Sequence, residues 1–512
     1  MTAALMFGGE CWSGEHIDVR ASQLAGGLAR LGVGDGDVVA VMLRNDPVFV
    51  DIIQACRIAG AYFCQINWHF KSDEAGFILA DSGAKVLFVH DDLWATIAAV
   101  APAGMAVIKV RPHPYVMAGY HLAPEAPAEG PGYAEWLAVQ QTYSGPALRP
   151  RGHMAYTSGT TGRPKGVRRF TVPPEQQAAQ QILVDQVARE AMGIVPGVRA
   201  LLSAPLYHSA PSVYAQQAML QGSLLVLEAK FDAQETLALV ERHRVESAYL
   251  VPVMYVRLLR LPEEIRRRYD LSSLKYIAST GSPCAPEVKR AMIEWLGPVI
   301  FETYASSEAG MVTVIGSADS LRKPGSAGRP LGRAELRIID AGGEDCAPGT
   351  VGTIYVRQPA YADFTYHHND QARRAIEHRG LISMGDMGYV DEDGYLFVSD
   401  RASDMVISGG VNIYPAEIEH VMITLPGVAD CAVIGIPDDE YGEALAAQVV
   451  IEDGTDPQLT PQAIRDWLKN RIADYKVPRR IDIVTALPRD DNGKVAKRRI
   501  RDAYWSGRAR RI

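Results

Sequence analysis

Residues 156–167, YTSGTTGRPKGV, bring three glycines, four Ser and Thr hydroxyls and two basic side chains into one short segment. Glycine lets backbone N–H groups come close to a ligand, and the hydroxyls add further donors, so the composition suits a polyanion such as a triphosphate. An ordinary surface turn needs only one or two such residues. The segment is not a Walker loop, which requires Gly, four residues, Gly, Lys and then Ser or Thr at the start of a helix. Gly159 and Gly162 stand too close, Pro164 precedes Lys165, and Gly166 takes the place of the hydroxyl. The chain runs on as GVRRFTV (166–172), rich in β-branched residues and without helical periodicity, which predicts a loop joining two strands.

The elements that would position such a loop are legible as patterns. Up to about residue 310, continuous apolar runs (38–43, 85–90, 223–228, 247–252, 274–279 and 298–304) alternate with amphipathic stretches such as PVFVDIIQACRIAG. That texture indicates βαβ units with both sheet faces covered. From about 325 to 400, Gly and Pro are frequent, and ELRIIDAGGEDCAPGTVGTIYVR and GYVDEDGYLFVSDR predict strands joined by tight Asp/Gly turns, hence a small antiparallel sheet or barrel. After Arg401 the pattern becomes mixed α+β, and the domain boundary is expected at 400–403. The stretch APEAPAEGPG (123–132) reads as a loop.

A chain of 512 residues exceeds the size at which one hydrophobic core keeps growing. Its net charge of −8 opposes a general affinity for nucleic acid or an acidic membrane surface. Six cysteines without a CxxC pair or regular spacing favour reduced, mostly packed thiols over a disulfide frame or zinc site. The N-terminus lacks a basic region followed by a long apolar one, so a signal peptide is not expected and the cytoplasm is. The charge-free stretch 200–227 is long enough to span a bilayer, but prolines, glutamines and hydroxyls interrupt it, and it is read as domain interior.

Six motifs stand together and in order: YTSGTTGRPKGV, PLYHSAP, YASSEAG, GDMGYVDEDGYL, DRASDMVISGGVNIYPAEIE and LPRDDNGKVAKR. The set resembles the adenylate-forming superfamily, which contains acyl-CoA synthetases, the adenylation domains of peptide synthetases, and beetle luciferases. The resemblance implies an α/β fold. A large N-terminal domain (1–400) would hold two βαβ-type sheets and a small antiparallel β-barrel, followed by a smaller mobile α+β domain (401–512) that turns about Ser403. The family usually has Asp or Lys at that hinge.

The implied reaction couples a carboxylic acid to ATP with release of pyrophosphate, then exchanges AMP for the thiol of CoA. ATP and Mg²⁺ would be needed, and an acid–CoA ligase of fatty-acid metabolism is the reading. A stand-alone adenylating enzyme that loads a carrier protein is the alternative. A homodimer is compatible with this. Neither nucleic acid nor stable membrane insertion is expected.

By the same resemblance, Thr157, Ser158, Gly159, Thr160, Thr161, Gly162 and Lys165 hold the phosphates, and Glu308 with Thr160 holds the metal. Gly281, Ser282, Glu302, Thr303, Tyr304 and Ser307 line the adenine, and Asp386 and Arg401 take the ribose. Ser307 stands where the family usually has Thr, and Ala305 where it has Gly; the first swap keeps the hydroxyl. Lys494 is the catalytic lysine of the first half-reaction. His208 gates the acid pocket or the thiol tunnel, with its acid–base role unassigned. Tyr207, Ser209, Tyr214, Gly281, Ala309 and Gly310 join His208 around the acid, and Ser408, Gly409 and Gly410 line the CoA tunnel. The pocket segments PLYHSAPSVY and SEAGMV are apolar with small residues and offer no obvious Asp for an ammonium group, which favours a fatty, aryl or alicyclic acid over an amino acid.

Overall fold

The computed structural model describes residues 2–123, 132–157, 164–401, 404–408, 411–438, 440–452, 459–489 and 495–506, the side chains of 400, 401 and 412 aside. Contacts gather the chain into two compact units, Met1–Glu335 with Val356–Ile382, and Leu336–Tyr355 with Ser383–Ile512.

Two large sheets organise the first unit. Four parallel strands run in the order Tyr62–Gln65, Val38–Met42, Val86–His90, Ala106–Val110. Val38–Met42 and Val86–His90 are buried at every position, as strands covered on both faces must be. Alternation sends their side chains to two cores. Val39, Val41 and Phe88 meet Phe49 and Ile53 of the helix Pro47–Ile58, while Ala40, Met42, Leu87 and Val89 meet Ile78 and Leu79 of Ser72–Ser82. The first of these helices starts where Asp46 accepts the Val48 N–H at 3.0 Å, with Pro47 in the first turn.

The second sheet has nine strands, in the order Arg329–Pro330, Thr313–Gly316, Ile300–Glu302, Tyr276–Ser279, Ser247–Tyr249, Arg199–Leu202, Leu224–Leu227, Ala4–Phe7, Glu10–Trp12. Ile300–Glu302 through Ala4–Phe7 are mutually parallel, and antiparallel partners close both ends. Each of the six apolar runs seen in the sequence therefore contributes a strand. The charge-free stretch 200–227 resolves into strand, the helix Ser209–Gln221, and strand. No helix among the described residues is long and apolar enough to cross a membrane. All six cysteines are free; Cys56, Cys64, Cys284 and Cys431 are buried, Cys346 is partly so and Cys11 is exposed.

A third sheet is small. Ala155–Thr157, Lys165–Arg169 and Phe364–Tyr366 pair antiparallel, with Lys165–Arg169 in the middle. The phosphate-type loop thus joins two paired strands, as its sequence indicates.

In the second unit, Asp386–Val390 pairs antiparallel with Leu396–Arg401, and Gly352 stands opposite Gly388. Antiparallel pairing ties 352–353 to 387–388 within this unit, and of residues 336–400 the stretch 356–382 belongs to the first unit, whereas the sequence pattern indicates one boundary at 400–403. A five-stranded sheet completes this unit, in which Gly442–Ile451 lies antiparallel to Val428–Asp438 and parallel to Arg480–Val484. The helices Pro415–Met422 and Pro461–Lys469 pack Ile418, Met422, Ile464 and Leu468 against Val433, Leu445 and Val449. This is the α+β arrangement expected after Arg401.

Candidate active site

Two hydroxyls converge on one carboxylate oxygen in the first unit. Thr157 Oγ1 donates to Glu308 Oε1 at 3.0 Å, and Tyr366 OH donates to the same oxygen at 3.1 Å. Glu308 is 8% exposed. No described residue bonds its Oε2. The peptide behind it is held by Arg169, whose guanidinium donates to the carbonyls of Ser307 (2.8 Å), Glu308 (2.9 Å) and Ala362 (2.8 Å). Burial lowers the Arg169 pKa from its ordinary value, yet a guanidinium stays charged. The Lys165 ammonium lies 5.2 Å from the centroid of the Tyr366 ring. Burial, and then the Glu308 charge, push the Tyr366 phenol upward, so it remains a donor.

These groups suit a hard divalent cation beside phosphates. Magnesium is commonly held by one or two carboxylates, with substrate phosphates and waters completing the octahedron. Glu308 Oε2 is an oxygen donor of that kind. Among the described residues no group of three or more His, Cys, Asp and Glu side chains could hold a metal ion by itself. Phosphate oxygens would therefore have to supply further ligands.

Of the residues expected at the adenine, Thr303 is buried and its N–H and hydroxyl both donate to the Ser279 carbonyl, at 2.9 and 3.2 Å. The Tyr304 carbonyl accepts from Val312 N at 2.9 Å. Glu302 is buried in an ion pair with Lys289 of the helix Pro286–Leu296. Gly281 is exposed, with a positive φ of 95° that favours glycine, and Ser282 beside it is partly exposed. In the second unit, Asp386 and Arg401 stand opposite one another on paired strands. Ser408 ends the strand Val406–Ser408 opposite Val411.

Of the acid-pocket residues, Tyr207, His208 and Ser209 stay together. The Tyr207 and His208 rings lie 4.3 Å apart, and Ser209 opens the helix that His208 precedes. His153, on the approach to the loop, hydrogen bonds through Nε2 to Ser209 Oγ. Burial, and then the charge of Arg169, pull His153 down to about 3, so it is neutral. Ala309 is buried, and a Cβ on Gly310 would fall 2.2 Å from the Tyr361 ring. Tyr214 lies instead in the core, fully buried, with its hydroxyl 2.9 Å from Ser247 Oγ and its ring 5.4 Å from Tyr249. Ser158, Gly159, Thr160, Thr161, Gly162, Ser403, Gly409, Gly410 and Lys494 lie outside the described residues. Tyr366, Arg169 and His153 are the residues that sequence reasoning did not assign. Only the doubled arginine in GVRRF offered any signal for one of them.

Residues 2–363 match the model of the AMP-binding enzyme family, and residues 417–494 match that of the AMP-binding enzyme C-terminal domain. The chain belongs to the AMP-binding enzyme family. It is 33% identical over 504 residues to a feruloyl-CoA synthase of Amycolatopsis sp, covering 98% of this chain and 96% of that one. An indoleacetate–CoA ligase of Aromatoleum aromaticum is 34% identical over 495 residues, covering 94% and 93%. The ATP-bound crystal structure of MatB from Rhodopseudomonas palustris superposes with a TM-score of 0.83 at 26% identity, covering 98% and 96%. This is the superfamily, the fold and the class of enzyme expected from the motifs.

Proposed function

We propose that the chain activates a hydrophobic carboxylic acid with ATP as an acyl-adenylate and passes the acyl group to CoA. The observation that carries this reading is Glu308, buried and fixed through one oxygen by the strands of the phosphate-type loop's own sheet, while no described residue bonds the other. A carboxylate oxygen of the acid attacks the α-phosphorus, the bond to the bridging oxygen of the β-phosphate breaks, and pyrophosphate leaves. The CoA thiol gives up its proton to solvent, its sulfur bonds to the acyl carbon, and AMP departs with the electron pair of the acyl–oxygen bond. Activation is needed because a free carboxylate would have to expel oxide.

Lys165, with Thr160 and Thr161, meets the departing pyrophosphate, and the Ser158 to Gly162 backbone adds donors. Glu308 and Thr160 would hold Mg²⁺, which would supply positive charge to the phosphates. Thr303, Tyr304 and Ser307 face the adenosine with Gly281 and Ser282. Glu302, already paired with Lys289, acts by fixing the strand end beside them. Asp386 and Arg401 take the ribose. Lys494 holds the carboxylate and α-phosphate oxygens together in the first half-reaction. Residues 401–512 then turn about Ser403 and present Ser408, Gly409 and Gly410 to the thioester arm. The acid rests on Tyr207, His208, Ala309 and Gly310, aromatic or small and without a carboxylate among them, with a neutral His153 bonded to the adjacent Ser209, which suits an aryl or aliphatic acid better than an ammonium-bearing one. The cytoplasm is the proposed site of action, in keeping with six free thiols.

A panel of aryl, alicyclic, fatty and amino acids, assayed for ATP- and Mg²⁺-dependent pyrophosphate release and for AMP and acyl-CoA, tests this. ADP and phosphate as products would overturn adenylation, and a clear preference for an amino acid would overturn the pocket. Acyl transfer to a carrier protein but never to CoA would replace the acceptor. Lys494→Ala should lose ~10²–10³ in the overall rate while a synthetic acyl-adenylate is still converted with CoA.

A further inference from the structure

We propose that Tyr366 is a positioning residue that couples the cation-binding carboxylate to the phosphate-binding lysine. The inference rests on the roles just given to Glu308 and Lys165 and assigns the residue between them. Tyr366 touches both: its hydroxyl donates to Glu308 Oε1 at 3.1 Å, and its ring faces the Lys165 ammonium at 5.2 Å.

The sheet explains how one side chain reaches two partners. Tyr366 stands opposite Val167 in the antiparallel pair, so Lys165, two residues along, is its diagonal neighbour on the same face. The electron-rich ring face attracts the ammonium and restrains a long, flexible side chain. The hydroxyl reaches past the middle strand to the carboxylate that Thr157, on the third strand, also engages. Two donors on Oε1 fix the rotation of the carboxylate about its last bond and leave Oε2 for the ligand. A shift of either partner is thereby felt by the other. The ring steadies the lysine, the hydroxyl bond to Glu308 steadies the ring, and the carboxylate presents Oε2 only while the phenol holds Oε1.

The two contacts separate by mutation. Tyr366→Phe keeps the ring and deletes the hydroxyl; Tyr366→Leu deletes both; Thr157→Val removes the other donor. Mn²⁺ binding to the full-length enzyme with ATP, followed by electron paramagnetic resonance, should weaken ~3–10-fold in Tyr366→Phe and in Thr157→Val, the net effect of losing one hydrogen bond. Pyrophosphate release should show the same shift as a higher Mg²⁺ requirement, rather than as a loss at saturating Mg²⁺. Calorimetric ATP affinity without metal should be lower by a further ~2–5-fold in Tyr366→Leu than in Tyr366→Phe. Unchanged Mn²⁺ affinity in Tyr366→Phe would overturn the inference, and so would equal ATP affinity in the Phe and Leu variants. If Tyr366→Leu does not fold, the Phe and Val variants decide by themselves. A wild-type enzyme that binds no Mn²⁺ with ATP would overturn the reading of Glu308 instead. A variant that differs only in melting temperature would reduce Tyr366 to packing.

Discussion

Glu308 and Glu228 are both buried carboxylates of the first unit, and they are held in opposite ways. Glu228 accepts Asp232 N–H on Oε1 at 2.7 Å and the Thr236 hydroxyl on Oε2 at 2.8 Å, tying the end of one strand to the start of the helix Ala233–His243. Both of its oxygens are used. Burial nonetheless outweighs these donors and raises its pKa from an ordinary 4.5 to about 7. Glu308 takes both of its described donors on Oε1 and none on Oε2. Burial alone does not separate these two carboxylates; the distribution of donors over their oxygens does.

The comparison is most exposed to Glu308→Gln. The amide oxygen can still accept both hydroxyls, but an NH₂ replaces the free oxygen. Magnesium-dependent pyrophosphate release should fall by ~10²–10³ with little change in melting temperature. Glu228→Gln should leave that activity unchanged, and parallel losses in the two variants would break the distinction.

Arg169→Met comes next. It leaves three carbonyls without their donor and should cost about 2–3 kcal/mol in denaturant unfolding, together with a higher magnesium requirement because the Glu308 peptide is released. A stability loss with the magnesium requirement unchanged would separate the peptide from the carboxylate.

A smaller effect belongs to Glu228 and pH. Its native pKa lies above its unfolded one, so the stability it contributes is full below about 4.5 and is lost as pH rises through about 7. Glu228→Gln should flatten the melting-temperature profile across that window, by the equivalent of about 1–3 kcal/mol, and be the more stable form at pH 8. An identical profile in both forms would show that Glu228 does not titrate there.

The smallest change is expected of Tyr214→Phe, at ~0.5–1.5 kcal/mol for one buried hydrogen bond, with KM for the acid unmoved. A shifted acid preference would return Tyr214 to the pocket.

Contiguity decided which parts of this candidate site were legible in the sequence. Thr157 and Lys165 share one motif with the loop, and Glu308 sits in another short one, so each could be named before any fold was known. Arg169, His153 and Tyr366 acquire meaning only through pairing: Tyr366 reaches Glu308 from 58 residues away, and Arg169 reaches Ser307 from 138. No local pattern encodes such a partner. Tyr214 shows the reverse limit. It lies five positions after Ser209, about 140° further round a helix, so one motif places Ser209 beside His153 and sends Tyr214 into the core. The large sheets were legible because strands buried on both faces are apolar throughout. Residues 336–400 were less so, since short antiparallel strands do not announce which neighbour they will join.

The middle strand of the small sheet, Lys165–Arg169, has one partner a few residues upstream and the other nearly two hundred residues downstream, with Arg169 bonded to Ala362 across 193 positions. Closing so long a loop carries an entropy that local contacts do not repay, so this pairing belongs to the slow part of folding. During synthesis the loop and its lysine leave the ribosome early, and Glu308 comes after them, but the strand bearing Tyr366 arrives later still. Until it does, a nascent chain has Lys165 without the ring that lies 5.2 Å from its ammonium. The strand bearing Tyr366 thus joins after most of the surrounding sheets can already have formed, a built-in delay between having the large sheets and completing the small one.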